Sequence, residues 1–232
     1  MKKTNKIKFK YLIIIFLVSV IKTQNVSSDY IIKGVENIFD NGDTRNILFS
    51  GIILSVIANK YDYLLQNRNQ SKKLMSNNLA KLGDYWGKTN QFIIWSALSG
   101  NYRDEQLNYS MNSFIANGII TYGIKFSTMR RRPDLSNKRS FPSGHTSNSF
   151  LGATILQNVY GSEVGIPGYI LASITGMSRI NDNKHYLSDV IFGAALGVAI
   201  GTGFNYLYKE DIMINNKTSK NKSFKINFSW RF

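Results

Sequence analysis

Three short clusters in this 232-residue chain hold residue types that can grip an anion and move a proton. The first runs from Lys125 through six residues to Arg132 and Pro133. Two cations that converge there can hold an oxyanion, the arginine through its planar two-pronged fork, and Pro133 fixes the backbone just after Arg132. Taken alone, this stretch reads as a solvated basic turn. The second cluster is Pro142-Ser143-Gly144-His145. A Pro-Ser-Gly turn that opens an apolar helix points free first-turn amides, and the positive end of the helix dipole, at a ligand. Gly144 lets the backbone approach closely, Ser143 adds a hydroxyl donor, and His145 can give or take a proton near neutral pH. An N-cap beside an incidental histidine fits four residues equally well. The third cluster is Ser178-Arg179, five residues, His185, three residues, Asp189. His185 and Asp189 are four apart and are expected on one face of a helix. A carboxylate there fixes the imidazole tautomer and frees the other ring nitrogen as a nucleophile; a surface ion pair is the plainer alternative. Arg179 supplies a third cation. Both histidines of the chain lie in these clusters.

Together the clusters specify phosphoryl transfer: three cations, amides at a helix start, a His–Asp pair and a second His. No carboxylate cluster points to Mg²⁺ or Ca²⁺, and no HExxH or Cys/His set points to zinc. A Walker-type glycine loop is also missing from the sequence. The expected charge stabilisation therefore comes from Lys and Arg rather than from a metal or other cofactor.

At these residues the chain resembles the type 2 phosphatidic acid phosphatase and vanadium haloperoxidase superfamily, whose three-part signature is K-x6-RP, PSGH and SR-x5-H-x3-D. Lys125, Arg132 and Pro133, then Pro142 to His145, then Ser178, Arg179, His185 and Asp189 match every element. The resemblance covers about residues 40–208. It implies an α-helical bundle with the site at one end and His185 as nucleophile, forming a phosphohistidine. It further implies that Asp189 orients His185, that His145 protonates the leaving group and then activates water, and that Lys125, Arg132, Ser143, Gly144 and Arg179 hold the phosphate. Eight residues separate Pro133 from Pro142, which is short for the family and leaves little room for a substrate-selective insertion.

The elements that must position these residues read as helices. Asn46–Asn59 is an apolar run expected as a buried core helix. Ser71–Lys81 is amphipathic and Asn90–Leu98 is a short apolar segment. Tyr109–Lys125 places Met111, Phe114, Ile115, Ile119 and Tyr122 at helical spacing. Ser147–Tyr160 and Ile166–Met177 flank the breaker Gly161–Gly165, and Leu187–Tyr208 is the longest candidate. Within it Gly193, Gly197 and Gly201 form one bare stripe for close approach of another helix. The fold class is therefore all-α, over a domain of residues 29–208. Residues 209–222 read as a polar linker. Phe224, Ile226, Phe228, Trp230 and Phe232 alternate with polar residues, the period of a strand packed as a β-like tail.

The first 28 residues read as a signal peptide or N-terminal anchor: a lysine-rich start, then the apolar core Tyr11–Ile21, too short for a comfortable span. This places the body in the periplasm or cell envelope and sets nucleic acid aside as a partner. The absence of cysteine excludes a disulfide scaffold, and a mean hydropathy of −0.18 argues against a bundle lying mostly in lipid. The net charge is +15, of which six lysines fall in residues 1–25, so the body is basic and suits anionic partners at a membrane surface. The expectation is an exported, metal-independent phosphatase of phosphorylated lipids: phosphatidic acid, a polyprenyl pyrophosphate or lipid A phosphates. The alternatives are a soluble acid phosphatase, a vanadate-dependent haloperoxidase, and a basic membrane-binding module without activity.

Overall fold

The computed structural model describes residues 27–99 and 104–221. The N-terminal export segment and the alternating tail Phe224–Phe232 lie outside the described residues. Among these residues there are eight helices and no strand: α1 Ser28–Asp40, α2 Gly42–Asn59, α3 Asp62–Ser71, α4 Asn77–Ser99, α5 Asp104–Thr128, α6 Gly144–Tyr160, α7 Ser162–Asn181 and α8 Leu187–Asn221. The all-α class read from the sequence is the class observed. Helix α8 is the axis, packed by α1, α2, α5 and α6, while α4 lies across α6 and α7.

The glycine stripe explains how the axis is built. A Cβ at Gly197 would lie 2.2 Å from the Ser147 carbonyl oxygen, and one at Gly193 would lie 2.7 Å from that of Ser143. Without side chains, α8 meets α6 backbone to backbone, and this seam sets the N-termini of both helices side by side. Around it Ile94 and Leu98 of α4, Tyr109 and Phe114 of α5, Leu151 and Ile155 of α6, and Ile200 and Phe204 of α8 close a buried core. The Tyr109 hydroxyl donates to the Gly201 carbonyl at 2.6 Å.

Three expectations are corrected. Helix α2 is not buried by its large apolar residues. Thr44, Gly51, Ser55 and Ala58 face inward, and Phe49, Ile52, Ile53, Leu54, Val56 and Ile57 are exposed. The cause is closeness: a Cβ at Gly51 would fall 2.1 Å from the Ala195 Cβ, so only the small-residue face fits against α8. The stripe read at helical spacing over Tyr109–Lys125 does lie on a helix, α5, where it is buried at Met111 and Phe114 and exposed at Ile119 and Tyr122. The amphipathic stretch Ser71–Lys81 is broken, since α3 ends at Ser71 and α4 begins at Asn77. Residues 209–221, read as a polar linker, continue α8. Of the described helices one, over Leu187–Asn215, is long and apolar enough to cross a membrane, and 61% of its apolar window is buried inside the bundle.

Candidate active site

The signature residues come together at one end of the bundle, where α5 and α7 finish and α6 and α8 begin. Lys125 lies in the last turn of α5, buried, with its ammonium group donating to the carbonyls of Arg139, at 2.9 Å, and Pro142. Those two bonds tie the helix end to the loop that leads into α6. Burial, with Arg132 nearby, pushes the Lys125 pKa down to about 8. Arg132 has no ion pair among the described residues, and its Nε is buried without a partner. Helix α6 starts at Gly144 with Ser143 as its N-cap, so its first amides have no partner within the helix. Ser143 Oγ lies 2.8 Å from Thr146 Oγ1 and is fully buried, and its N–H donates to the Asp189 carbonyl at 3.0 Å. Either hydroxyl can be the donor in that contact, so the Ser143 O–H can still point elsewhere when Thr146 donates.

His185 precedes α8 rather than lying on it, which corrects the shared-helix-face expectation. Asp189 sits in the first turn of α8, where the dipole favours a carboxylate, and its Oδ2 faces His185 Nδ1 at 3.6 Å. That oxygen also accepts from Ser140 Oγ at 2.5 Å and from the Tyr186 N–H at 2.9 Å. Burial opposes ionisation of Asp189, but His185, Arg130 and Ser140 outweigh it and hold the carboxyl below its usual range. Burial drives the His185 pKa down to about 4 despite Asp189, so the ring is neutral at neutral pH.

A cavity of about 420 Å³ opens on this end. Lys125, Arg132, Gly144, His145 and His185 line its floor, Trp95 and Phe114 its far wall, and no carboxylate lines it among the described residues. Asp189 stands behind His185. Arg179 is not among the lining residues either: its guanidinium lies 2.5 Å from Asp84 and 3.1 Å from Asp182.

Two residues escape sequence reasoning. Arg130, in the gap of the first cluster, spans two fully buried carboxylates, 2.7 Å from Asp189 Oδ1 and 2.7 Å from Asp62 Oδ2, and donates to Ser188 Oγ at 2.7 Å. Its guanidinium also lies 4.4 Å from the Tyr186 ring centroid. Asp84, on α4, reaches His145 Nε2 at 3.6 Å as well as Arg179. Helix α4 comes this close because of two glycines. A Cβ at Gly83 would lie 2.8 Å from Ser178 Oγ, and one at Gly87 would lie 2.9 Å from the His145 Cβ. The spacing Gly83-Asp84-x2-Gly87 is the one signal that marks this approach.

An open, cation-lined cavity with two histidines, set at one end of a helical bundle, is an arrangement suited to an oxyanion. The model of the PAP2 superfamily matches residues 106–213, just under half of the chain. It is 41% identical over 106 residues to a lipid A 1-phosphatase of Porphyromonas gingivalis, a match covering 38% of this chain and 24% of that protein. It is 32% identical over 109 residues to a decaprenylphosphoryl-5-phosphoribose phosphatase of Mycobacterium tuberculosis, covering 43% and 59%. The aligned segments thus span less than two thirds of these relatives. The fold is similar to the crystal structure of Aquifex aeolicus LpxE, with TM-score 0.52, 19% identity, and 65% of this chain and 93% of that one covered. It is also similar to a transmembrane PAP2-type phosphatidylglycerolphosphate phosphatase from Bacillus subtilis, with TM-score 0.55, 19% identity, and coverage of 78% and 98%.

Proposed function

We propose that the protein is a metal-independent phosphatase of phosphorylated lipids that works through a phosphohistidine. The observation that carries this reading is the cavity itself: Lys125, Arg132, the Gly144 end of α6, His145 and His185 face one space that no carboxylate enters. A phosphate dianion fits there. With Nδ1 turned to Asp189, His185 attacks phosphorus through Nε2 as a neutral imidazole. The phosphorus–oxygen bond to the leaving group breaks as the phosphorus–nitrogen bond forms, and His145 gives its proton to the departing oxygen. Neutral His145 then takes a proton from water, which attacks phosphorus and restores His185. Lys125 and Arg132 neutralise the equatorial oxygens, the task a metal performs elsewhere.

The lipid part of the reading is supported by apolar surface. Tyr122 lines the cavity, and the neighbouring Ile119 and Phe126 of α5 are exposed; the outward face of α2 adds Ile53 and Val56. Such faces suit contact with acyl chains at a membrane surface. The P. gingivalis relative is described as acting on lipid A, which agrees with this substrate class. Export to the periplasm or cell envelope follows from the lysine-rich, apolar N-terminus.

Phosphate release by the full chain across lipid A, phosphatidic acid, polyprenyl pyrophosphate and soluble phosphate esters, each with chelator, tests the reading. Rapid quench with labelled substrate should trap an acid-labile, base-stable phosphoenzyme that His185→Ala lacks. Equal activity in His185→Ala, label on a serine, or loss of activity in chelator restored by Mg²⁺ overturns it. Preference for soluble esters over all lipids overturns the lipid part.

A further inference from the structure

The surroundings of His145 pose a problem for the proposed acid. Burial first, then the Arg179 charge, drive the His145 pKa down to about 4, whereas a general acid must hold its proton until the leaving group departs. The groups that face His145 come from four directions. Helix α7 brings Arg179, α4 brings Asp84 and Lys88, and the turn before α8 brings His185. Helix α5 brings Lys125 against the adjoining Gly144, whose Cβ position is 3.7 Å from Lys125 Cε. Every one is a cation or an imidazole except Asp84.

We infer that Asp84, on a helix outside both the three-part signature and the matched family segment, is a positioning residue that raises the proton affinity of His145 for departure of the leaving group. The inference rests on the phosphatase reading and adds a residue to it. The geometry is built for the purpose. Gly83 and Gly87 let α4 press on Ser178 and on the His145 ring, so the residue after Gly83 lands between His145 and Arg179. One oxygen, Oδ1, serves both: 2.5 Å to the Arg179 guanidinium and 3.6 Å to His145 Nε2, an atom with no other partner. Lys88, one turn on, pairs with Oδ2. Asp84 thus stands as counter-charge to an imidazolium and stops Arg179 from acting on His145 as an unopposed cation. It stays ionised throughout; the proton passes from His145 to the leaving oxygen and returns to His145 from water.

The test compares wild type with Asp84→Asn and Asp84→Glu, full chain, on an alkyl phosphate and on p-nitrophenyl phosphate, across pH. In the enzyme–substrate complex an acid that must be protonated sets the alkaline limb of kcat. Loss of a facing carboxylate lowers its pKa, so the limb should move to lower pH in Asp84→Asn, by about one unit. Above the limb the alkyl phosphate then loses about tenfold. The aryl phosphate, whose leaving group hardly needs a proton, should lose little, and Asp84→Glu should restore the limb. Asp84 keeps a side-chain exposure of 27%, so the Asn variant should fold; thermal melting checks this, and Asp84→Ser is the second variant. An unmoved limb, or equal losses on both substrates, leaves Asp84 a structural ion pair and overturns the inference. Wild type without phosphate release, or active His185→Ala, fails the phosphatase reading instead.

Discussion

Replacing Arg130 with Met should cost the fold more than any other single charge at the site. The guanidinium is held 2.7 Å from Asp62 and 2.7 Å from Asp189, and both carboxylates have no exposed side-chain surface. Breaking a buried pair leaves an uncompensated charge and typically costs ~3–5 kcal/mol. Arg130 itself is 26% exposed, which allows water to reach the vacated space, so we expect about 2–4 kcal/mol here. For a domain of this size that is a Tm lower by roughly 4–16 °C. The pH dependence has a definite sign. Asp189 is held below the usual carboxylate range, so its stabilisation is present above the unfolded value and lost as pH falls through the folded one. The variant lacks much of that stabilisation. Its deficit against wild type should therefore be full at neutral pH and shrink as pH drops below about 4. Paired thermal melts from pH 3.5 to 8, with Arg130→Lys as partial rescue, measure this. A deficit that is absent, or constant across that range, refutes the argument that Arg130 works by charge.

Two further perturbations follow from the same geometry. Lys125 should lose its proton above about pH 8, so substrate KM should rise there by about 10-fold or more, the worth of one charge-assisted contact; Lys125→Arg should hold KM flat to higher pH, and a wild-type KM constant to pH 9.5 contradicts this. Gly197→Ala puts a methyl 2.2 Å from the Ser147 carbonyl and should destabilise by about 1–3 kcal/mol, whereas Gly123→Ala, with nothing within 4 Å, should stabilise by about 0.5–1 kcal/mol; equal melting of the two variants denies the close α6–α8 seam.

What the sequence makes legible divides along physical lines. The three clusters are readable because each contains a turn: Pro133, Pro142-Ser143-Gly144 and the Asn181–Asn183 bend mark where helices stop and start, and the candidate site lies at those ends. The glycine stripe is readable because a four-residue repeat of bare positions has one packing meaning. Orientation is harder. Helix α2 is apolar on all sides, so its periodicity carries no direction, and Gly51 and Ser55, not the isoleucines, decide which face goes in. Ser71–Lys81 shows an amphipathic pattern that runs across the gap between two helices, since periodicity is blind to the non-helical stretch Lys72–Ser76. His185 looks helical by spacing, although its pairing with Asp189 is made across a helix start.

The distribution of charge at the site argues for a division of labour that no single motif reveals. Arg130 and Arg179 belong to the signature region, yet each is already paired with carboxylates, Asp62 and Asp189 for the first and Asp84 and Asp182 for the second. Lys125 and Arg132 have no ion pair among the described residues, and both face the cavity. Two uncompensated cations in a half-buried space match a phosphate dianion. The two compensated arginines lie one layer out, where their carboxylates bear on His185 through Asp189 and on His145 through Asp84. On the proposed reading, the nucleophilic His185 and the acid His145 can then be tuned from behind without placing negative charge in the path of an anionic substrate. This requires that carboxylates approach the histidines only from outside the cavity, and two different helices, α4 and α8, deliver Asp84 and Asp189, neither of which lines it. Swapping the arrangement, for example by Gln91→Glu on the cavity wall, should weaken substrate binding while leaving the alkaline limb near its wild-type position, the reverse of the outcome expected for Asp84→Asn.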